Sequence, residues 1–230
     1  WATPKAYNNM KDFFDTGITW SNNVNVSQNL DKGNYSFSLG NSHQEGIIPT
    51  TGMDRYNAKM SAEVQLSPNW STGFNGNFVT SKIKKQSTAN SGVTATIYNA
   101  PVSYNMKGIP SHVEGDPYEQ NTYRQAWIDD AYWAVDNNLF TERSQRFGNA
   151  FVKFTTKFGT DNHKLDVKYQ LGDDAYTTNY SEIYGYGSTM ADTGDAIEYH
   201  YSINELNSLL TASYRWDINK DWVFDALIGN

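Results

Sequence analysis

The sequence contains no cysteine among its 230 residues, which removes disulfides, zinc–thiolate centres and thiol nucleophiles together. It also lacks any run of about 20 apolar residues, so no membrane-spanning helix can be drawn, and the mean hydropathy is −0.67. Cations are outnumbered: 18 Lys and Arg stand against 25 Asp and Glu, for a formal charge of −7. With no Lys/Arg stripe there is no basic footprint for a phosphate backbone, and nucleic acid is not expected as a partner. His43, His112, His163 and His200 are scattered, without an HExxH or an i, i+4 pair, so neither a metal nor any other cofactor is expected. No GxSxG occurs, and the "GYG" at 185–187 lacks the rest of a phosphate loop. The acid pairs Asp129/Asp130 and Asp173/Asp174 read as solvated loop charge rather than as the two separated carboxylates of a glycosidase. No catalytic constellation is assembled, and the chain is not expected to be an enzyme.

What the sequence has in abundance is aromatic residues, at 15% with 16 Tyr and 7 Trp, and period-two alternation. In "DRYNAKMSAEVQLSPNW", Tyr56, Ala58, Met60, Ala62, Val64 and Leu66 alternate with Arg55, Asn57, Lys59, Ser61, Glu63 and Gln65. That period places the two sets on opposite faces of a β-strand. Seven further stretches behave alike. They run over 18–28 (Ile18, Trp20, Val24, Val26), from Tyr35 (Phe37, Leu39), and from Trp70 to about 80 (Phe74, Phe78). Others cover about 147–158 (Val152, Phe154, Phe158) and 163–171 (Leu165, Val167, Tyr169). The last two cover 206–216 (Leu210, Tyr214, Trp216) and the stretch from Trp222 (Phe224, Ile228).

The connections between these strands alternate short and long. "DKGN", "SPN", "GTDN" and "INKD" are tight turns; "EGIIPTTGMD", about 82–145 and about 173–203 are long. In an up-and-down antiparallel meander, successive links fall on opposite ends of the sheet. All short turns then lie at one end and all long loops at the other, as in outer-membrane barrels with long extracellular loops. Tyr35, Trp70, Phe158, Trp216 and Trp222 sit beside the short turns on the apolar set, where an interfacial girdle belongs. On the barrel reading the polar set lines a wet lumen, with Arg55, Lys59, Glu63 and Arg215 among its members.

Two blocks carry a family resemblance. The stretch from "YNNMKDFFDTG" to "GIIPTTGMDRYNAKMSAEVQLSPNW" resembles the barrel of SusC/RagA-type TonB-linked outer-membrane transporters through Asp12, Phe13, Phe14, Thr16, Gly17, Gly46, Pro49 and Arg55. "AYWAVDNNLFTERSQRFGNAFVKFTTKF" is similar to a second stretch of that family through Tyr132, Trp133, Asn137, Asn138, Arg146, Gly148 and Asn149. It departs at Asp130 and Ala131, where the family more often has Asn-Pro. The resemblance covers roughly half of the chain. It implies an all-β segment, spanning 1–230, of a barrel that closes with about 22 strands, with the family's plug and TonB-contacting region outside these residues. It further implies a location in the bacterial outer membrane among its lipids. The implied activity is TonB-powered import of an oligosaccharide or peptide ligand, with a SusD-like lipoprotein as lid.

Within the long loop at 82–145, Tyr118, Tyr123, Trp127, Tyr132 and Trp133 lie among acids and amides, a composition suited to sugar-ring stacking; the same rings could equally form the loop's own core. Short helices there are expected around "NTYRQAWIDDAYWAV". Two other architectures remain compatible with the alternation. One is a complete small eight-stranded outer-membrane barrel, in which the first and last strands pair. The other is a soluble glycan-binding β protein, in which a facing sheet buries Tyr56, Met60, Val64 and Leu66.

Overall fold

A computed structural model of the chain describes residues 3, 5–88, 90, 92–123 and 128–230, with the backbone at 149–151. A short helix α1 (Asn9–Phe13) precedes β1 (Ile18–Leu30), β2 (Gly33–Glu45), β3 (Gly52–Ser67) and β4 (Trp70–Lys85). An insert then carries α2 (Val93–Asn99), β5 (His112–Val113), β6 (Asp116–Gln120) and α3 (Ala131–Asn137). The chain returns to the sheet as β7 (Leu139–Gly159), β8 (His163–Tyr184), β9 (Asp195–Asp217) and β10 (Val223–Gly229). Eight strands form one antiparallel sheet in the order β1-β2-β3-β4-β7-β8-β9-β10, the expected up-and-down meander. Among the described residues, β1 pairs with β2 alone and β10 with β9 alone. The closed eight-stranded barrel is therefore not formed.

The strands are longer than their alternation suggested. β4 runs to Lys85 rather than about 80, β7 starts at Leu139, β8 continues to Tyr184, and β9 begins at Asp195. The connections expected at 82–145 and 173–203 contract to 86–138 and 185–194. Above Asp173 both faces of β8 are polar or mixed: Thr177, Asn179 and Ser181 on one, Thr178, Tyr180 and Glu182 on the other. Hydrophobic alternation fades there while the backbone ladder to β9 continues unbroken to Tyr184↔Asp195.

Register fixes which side chains share a face. Leu39 pairs with Ala58, Ala58 with Phe78, Phe78 with Phe147, and Phe147 with Ala175, so one row of one face is apolar across five strands. Rows nearer the short turns add Met60, Phe74, Val152, Leu171, Leu210 and Ile228. No second sheet covers this face among the described residues: Tyr56 is 56% exposed, Met60 49%, Val64 43% and Leu66 64%. The soluble sandwich that would have buried them is not what the chain forms. Total exposed area is 15504 Å², whereas a compact monomer of this mass exposes roughly 10,500 Å². The surplus measures a surface that water alone does not suit.

The hydrophobic interior lies instead in a helical cap at the long-loop end. Phe13 from α1, Val93 and Ile97 from α2, Met106, and Ala131, Ala134 and Val135 from α3 form one buried cluster. Phe13 meets the Tyr132 ring edge-on at 5.2 Å. Asn9 ties α1 to the insert, donating to Tyr104 O at 3.0 Å and accepting from Met106 N at 3.2 Å.

At the opposite end, Gly159 opens the β7–β8 turn at φ 133°, where a Cβ would lie 1.8 Å from His163 O. Gly159→Ala should therefore cost roughly 1–3 kcal/mol and lower the melting temperature in detergent. Gly115→Ala, also at positive φ but with nothing within 4 Å, should lower it less.

Candidate functional site

The polar face of the sheet is organised by charge pairs. Lys153 reaches Glu63 at 2.9 Å, Lys85 reaches Glu142 at 2.9 Å, and Arg146 is paired with Asp174. Near the short turns, Arg215 lies 2.9 Å from Asp217 and 3.9 Å from Asp225. Toward the long loops this face becomes aromatic. The directly paired Tyr180 and Tyr199 stack at 5.9 Å, and Tyr176 meets Tyr201 edge-on at 6.4 Å. Lys85 Nζ sits 4.6 Å from the Tyr180 ring centre, and the Arg146 guanidinium 6.0 Å from that of Tyr176. Glu182 accepts from the hydroxyls of both Tyr184, at 2.7 Å, and Tyr180, at 3.2 Å. Tyr199 and Tyr201 remain about half exposed, at 55% and 48%. The result is a wall of ring faces framed by neutralised charges, able to hold the apolar face of a ligand while carboxylates and amines bond to its polar edges.

The cap is fastened above this wall through a buried carboxylate. Asp129 accepts from Gln120 Nε2 at 2.9 Å, Asn138 Nδ2 at 3.0 Å, Ser188 Oγ at 2.8 Å, and both the backbone N and Oγ1 of Thr189, at 2.6 and 2.9 Å. One side chain thereby joins the insert to the β8–β9 loop. Its neighbour Asp130 caps α3, accepting from the N–H groups of Tyr132 and Trp133. Burial pushes the Asp130 carboxyl up to about 6, with the two N–H groups opposing and the charge of Asp129 adding. The expectation that this acid pair is solvated loop charge fails: both are buried. N-capping and a latch demand buried, hydrogen-bonded carboxylates, and adjacency in sequence does not reveal that.

The loop aromatics mostly serve the cap itself. Trp133 is 1% exposed and donates Nε1–H to Pro117 O at 3.1 Å. Tyr123 packs against the cluster and donates to Thr96 O, and Tyr132 packs on Phe13 and donates to Asp12 O. Tyr118 is exposed, edge-on to Tyr186 at 5.0 Å; Trp127 lies outside the described residues. Arg55, Lys59 and Glu63 share the polar face of β3, and Arg215 shares it from β9, four places along the sheet. The structure does not bring Arg215 together with them. Tyr35, Trp70, Phe158 and Trp216 lie exposed on the apolar face, and Trp222 is exposed just before β10. The Tyr176, Tyr180, Tyr199 and Tyr201 wall was missed. Its signal was the four-residue spacing of Tyr176, Tyr180 and Tyr184 with the two-residue spacing of Tyr199 and Tyr201. Among the described residues no group of three or more His, Cys, Asp or Glu could hold a metal.

No protein-family model matches the chain, and no curated protein matches it in sequence. Solved structures do match. A chain of the RagAB peptide importer in its closed-closed state superposes with a TM-score of 0.75 at 19% identity, over 97% of this chain and 25% of that one. A RagAB peptide transporter structure gives 0.75 at 20% identity over 98% and 25%, and the open-open state gives 0.74 at 19% over 97% and 25%. What is shared is the fold. The chain spans about a quarter of the length of the structures it matches, and its eight-stranded meander is a segment of a larger barrel.

Asp129→Ala strands five donors, so the local opening free energy of 185–194 and α3 should fall by roughly 2–4 kcal/mol, read by hydrogen exchange. Because the folded Asp130 holds its proton up to about 6, against 3.8 ordinarily, the folded form binds more protons across that window. Its contribution to α3 stability is present below about pH 4 and is lost as pH rises to about 6. Asp130→Asn should flatten that dependence.

Proposed function

We propose that the chain is a wall segment of a SusC/RagA-type TonB-dependent importer in the bacterial outer membrane. The observation that carries this reading is the two-sidedness of the open sheet: an uncovered apolar band on one face, and on the other a charge-paired, aromatic surface beneath a folded loop cap. From Leu165 to Ala175, β8 rises roughly 33 Å at about 3.3 Å per residue. At the tilt of about 45° usual for membrane strands this spans roughly 23 Å, near the ~25 Å apolar band of such barrels. Both sheet edges need further strands, because lipid satisfies no backbone group. The family-like blocks at 7–70 and 131–158 and the shared fold support the same reading.

In this arrangement the apolar face meets lipid, and Tyr35, Trp70, Phe158, Trp216 and Trp222 anchor the girdle at the short-turn end. Arg55, Lys59, Glu63 and Arg215 face the aqueous lumen. The long loops face outward, where an oligosaccharide or peptide enters under a SusD-like lipoprotein, and TonB drives release through a plug region. Tyr118, with Tyr186 beside it, offers a ring to ligand or lid at the loop surface. The Tyr176–Tyr201 and Tyr180–Tyr199 pairs form the ligand-contacting wall below. The chain performs no chemistry of its own.

A nitroxide at Met60 should collide with oxygen and be shielded from a water-soluble nickel chelate, and one at Lys59 should show the reverse; equal nickel access at both would sink the reading. Met60→Arg should cost roughly 2–4 kcal/mol of membrane stability, whereas Ser61→Arg should cost little. Tyr199→Ala with Tyr201→Ala should weaken ligand binding about tenfold with assembly in the membrane unchanged, measured by titration of the purified protein.

A further inference from the structure

The apolar face ends at the row of Phe78 and Phe147, and above it a line of charge crosses the same face. Cα pairing runs Trp20↔His43, His43↔Asp54, Asp54↔Lys82, Lys82↔Arg143, Arg143↔Asn179 and Asn179↔His200. Lys82 and Arg143 are thus like charges placed directly opposite each other, and Lys84 stands one row above, opposite Thr141. Like charges in that relation destabilise a sheet unless something lies between them. Among the described residues Lys82, Lys84 and Arg143 have no acidic partner within 4.0 Å. Asp54, the nearest acid by register, is taken by His43 Nδ1 at 2.6 Å. Clefts flank the cations on either side, one of about 570 Å³ that Lys82 and Lys84 line together with His43, Asp15, Glu45 and Asp54, and one of about 510 Å³ that Arg143 and His200 line together with Glu198.

The height of this row decides what fills it. Lys82 lies four residues beyond Phe78, roughly 13 Å along the strand at about 3.3 Å per residue and about 9 Å at a 45° tilt. That places the row at the outer edge of the headgroup layer, which extends roughly 5–8 Å beyond the hydrocarbon. We infer that Lys82, Lys84 and Arg143 form a binding site for the phosphate of an anionic lipid headgroup on the membrane-facing wall at the long-loop rim. The inference rests on the membrane reading above. Arg143 offers a planar fork and the lysines point charges, the combination that suits a phosphate oxygen cluster. The acyl chains of the same lipid continue down the apolar rows of Phe78, Phe147 and Phe74.

The test uses the purified protein in nanodiscs of phosphatidylcholine with and without phosphatidylglycerol, with lipid retention read by native mass spectrometry. The triple substitution Lys82→Gln, Lys84→Gln, Arg143→Gln should weaken phosphatidylglycerol retention about a hundredfold, since each cation near a headgroup surface is worth about fivefold. Lys59→Gln, on the other face, should leave it unchanged. Equal retention by wild type and triple variant overturns the site. Inorganic phosphate displacing phosphatidylglycerol at millimolar concentration assigns the cations to a free anion and overturns the lipid. A melting temperature lowered by Lys82→Gln shows that the cation was already satisfied and also overturns it, because removing one of two opposed charges should not destabilise the wall. Nitroxide accessibility at Met60, measured in the same nanodiscs, separates the failures: oxygen contact without lipid retention rejects this site alone, and water contact rejects the membrane reading itself.

Discussion

Backbone hydrogen bonding along the eight strands is the constraint on which the remaining structure depends. Each interior strand has both of its edges paired, and that ladder holds without a hydrophobic core beneath it. Among the described residues, the large apolar side chains of the sheet other than Phe140 stay exposed or half-exposed, so their burial within the chain contributes little. Stability of such a sheet resides in pairing every peptide group and in a surrounding phase that removes the apolar face from water. The two requirements act on different atoms, which is why one strand can be apolar outward and charged inward without frustration.

The helical cap answers the opposite problem. An insert of this length between β4 and β7 carries backbone groups outside any sheet, and these need partners and an interior of their own. Phe13, Ile97, Met106 and Ala131 supply the interior; Asp129 and Asp130 supply charged acceptors where N–H groups converge. Because Asp129 binds both the insert and Ser188 and Thr189 of the β8–β9 loop, two distant connections act as one body over the tyrosine wall. Of the rings that composition would assign to a ligand, Tyr123, Tyr132 and Trp133 are used in building that body and Tyr118 stays exposed, while the paired tyrosines of β8 and β9 lie one layer lower.

Charge is distributed in the same two-sided way. On the polar face several cations and acids stand in pairs, Lys153 with Glu63, Lys85 with Glu142 and Arg146 with Asp174. On the apolar face, Asp173 is the charge on β8 between Leu165 and Ala175, and at the rim charge becomes frequent, with Lys82, Lys84 and Arg143 near Asp54 and Glu198. A surface that meets water on both sides has no reason for such a boundary, and one that crosses from hydrocarbon to headgroups does.

The sequence by itself determined strand existence, the order and sense of the meander, and which side chains share a face, because period two survives any tertiary arrangement so long as one face is apolar. It determined that Tyr56, Met60, Val64 and Leu66 share an apolar face, whereas only the tertiary structure decided that no second sheet covers them among the described residues. Tertiary structure alone decided where the strands end, because hydrophobic contrast vanishes at Asp173 while hydrogen bonding continues to Tyr184. It alone decided the fate of Trp133, Tyr123 and Asp129, whose burial depends on contacts with residues tens of positions away. A local pattern reports the environment of a face, whereas a packed cap is made by long-range neighbours that no local pattern names.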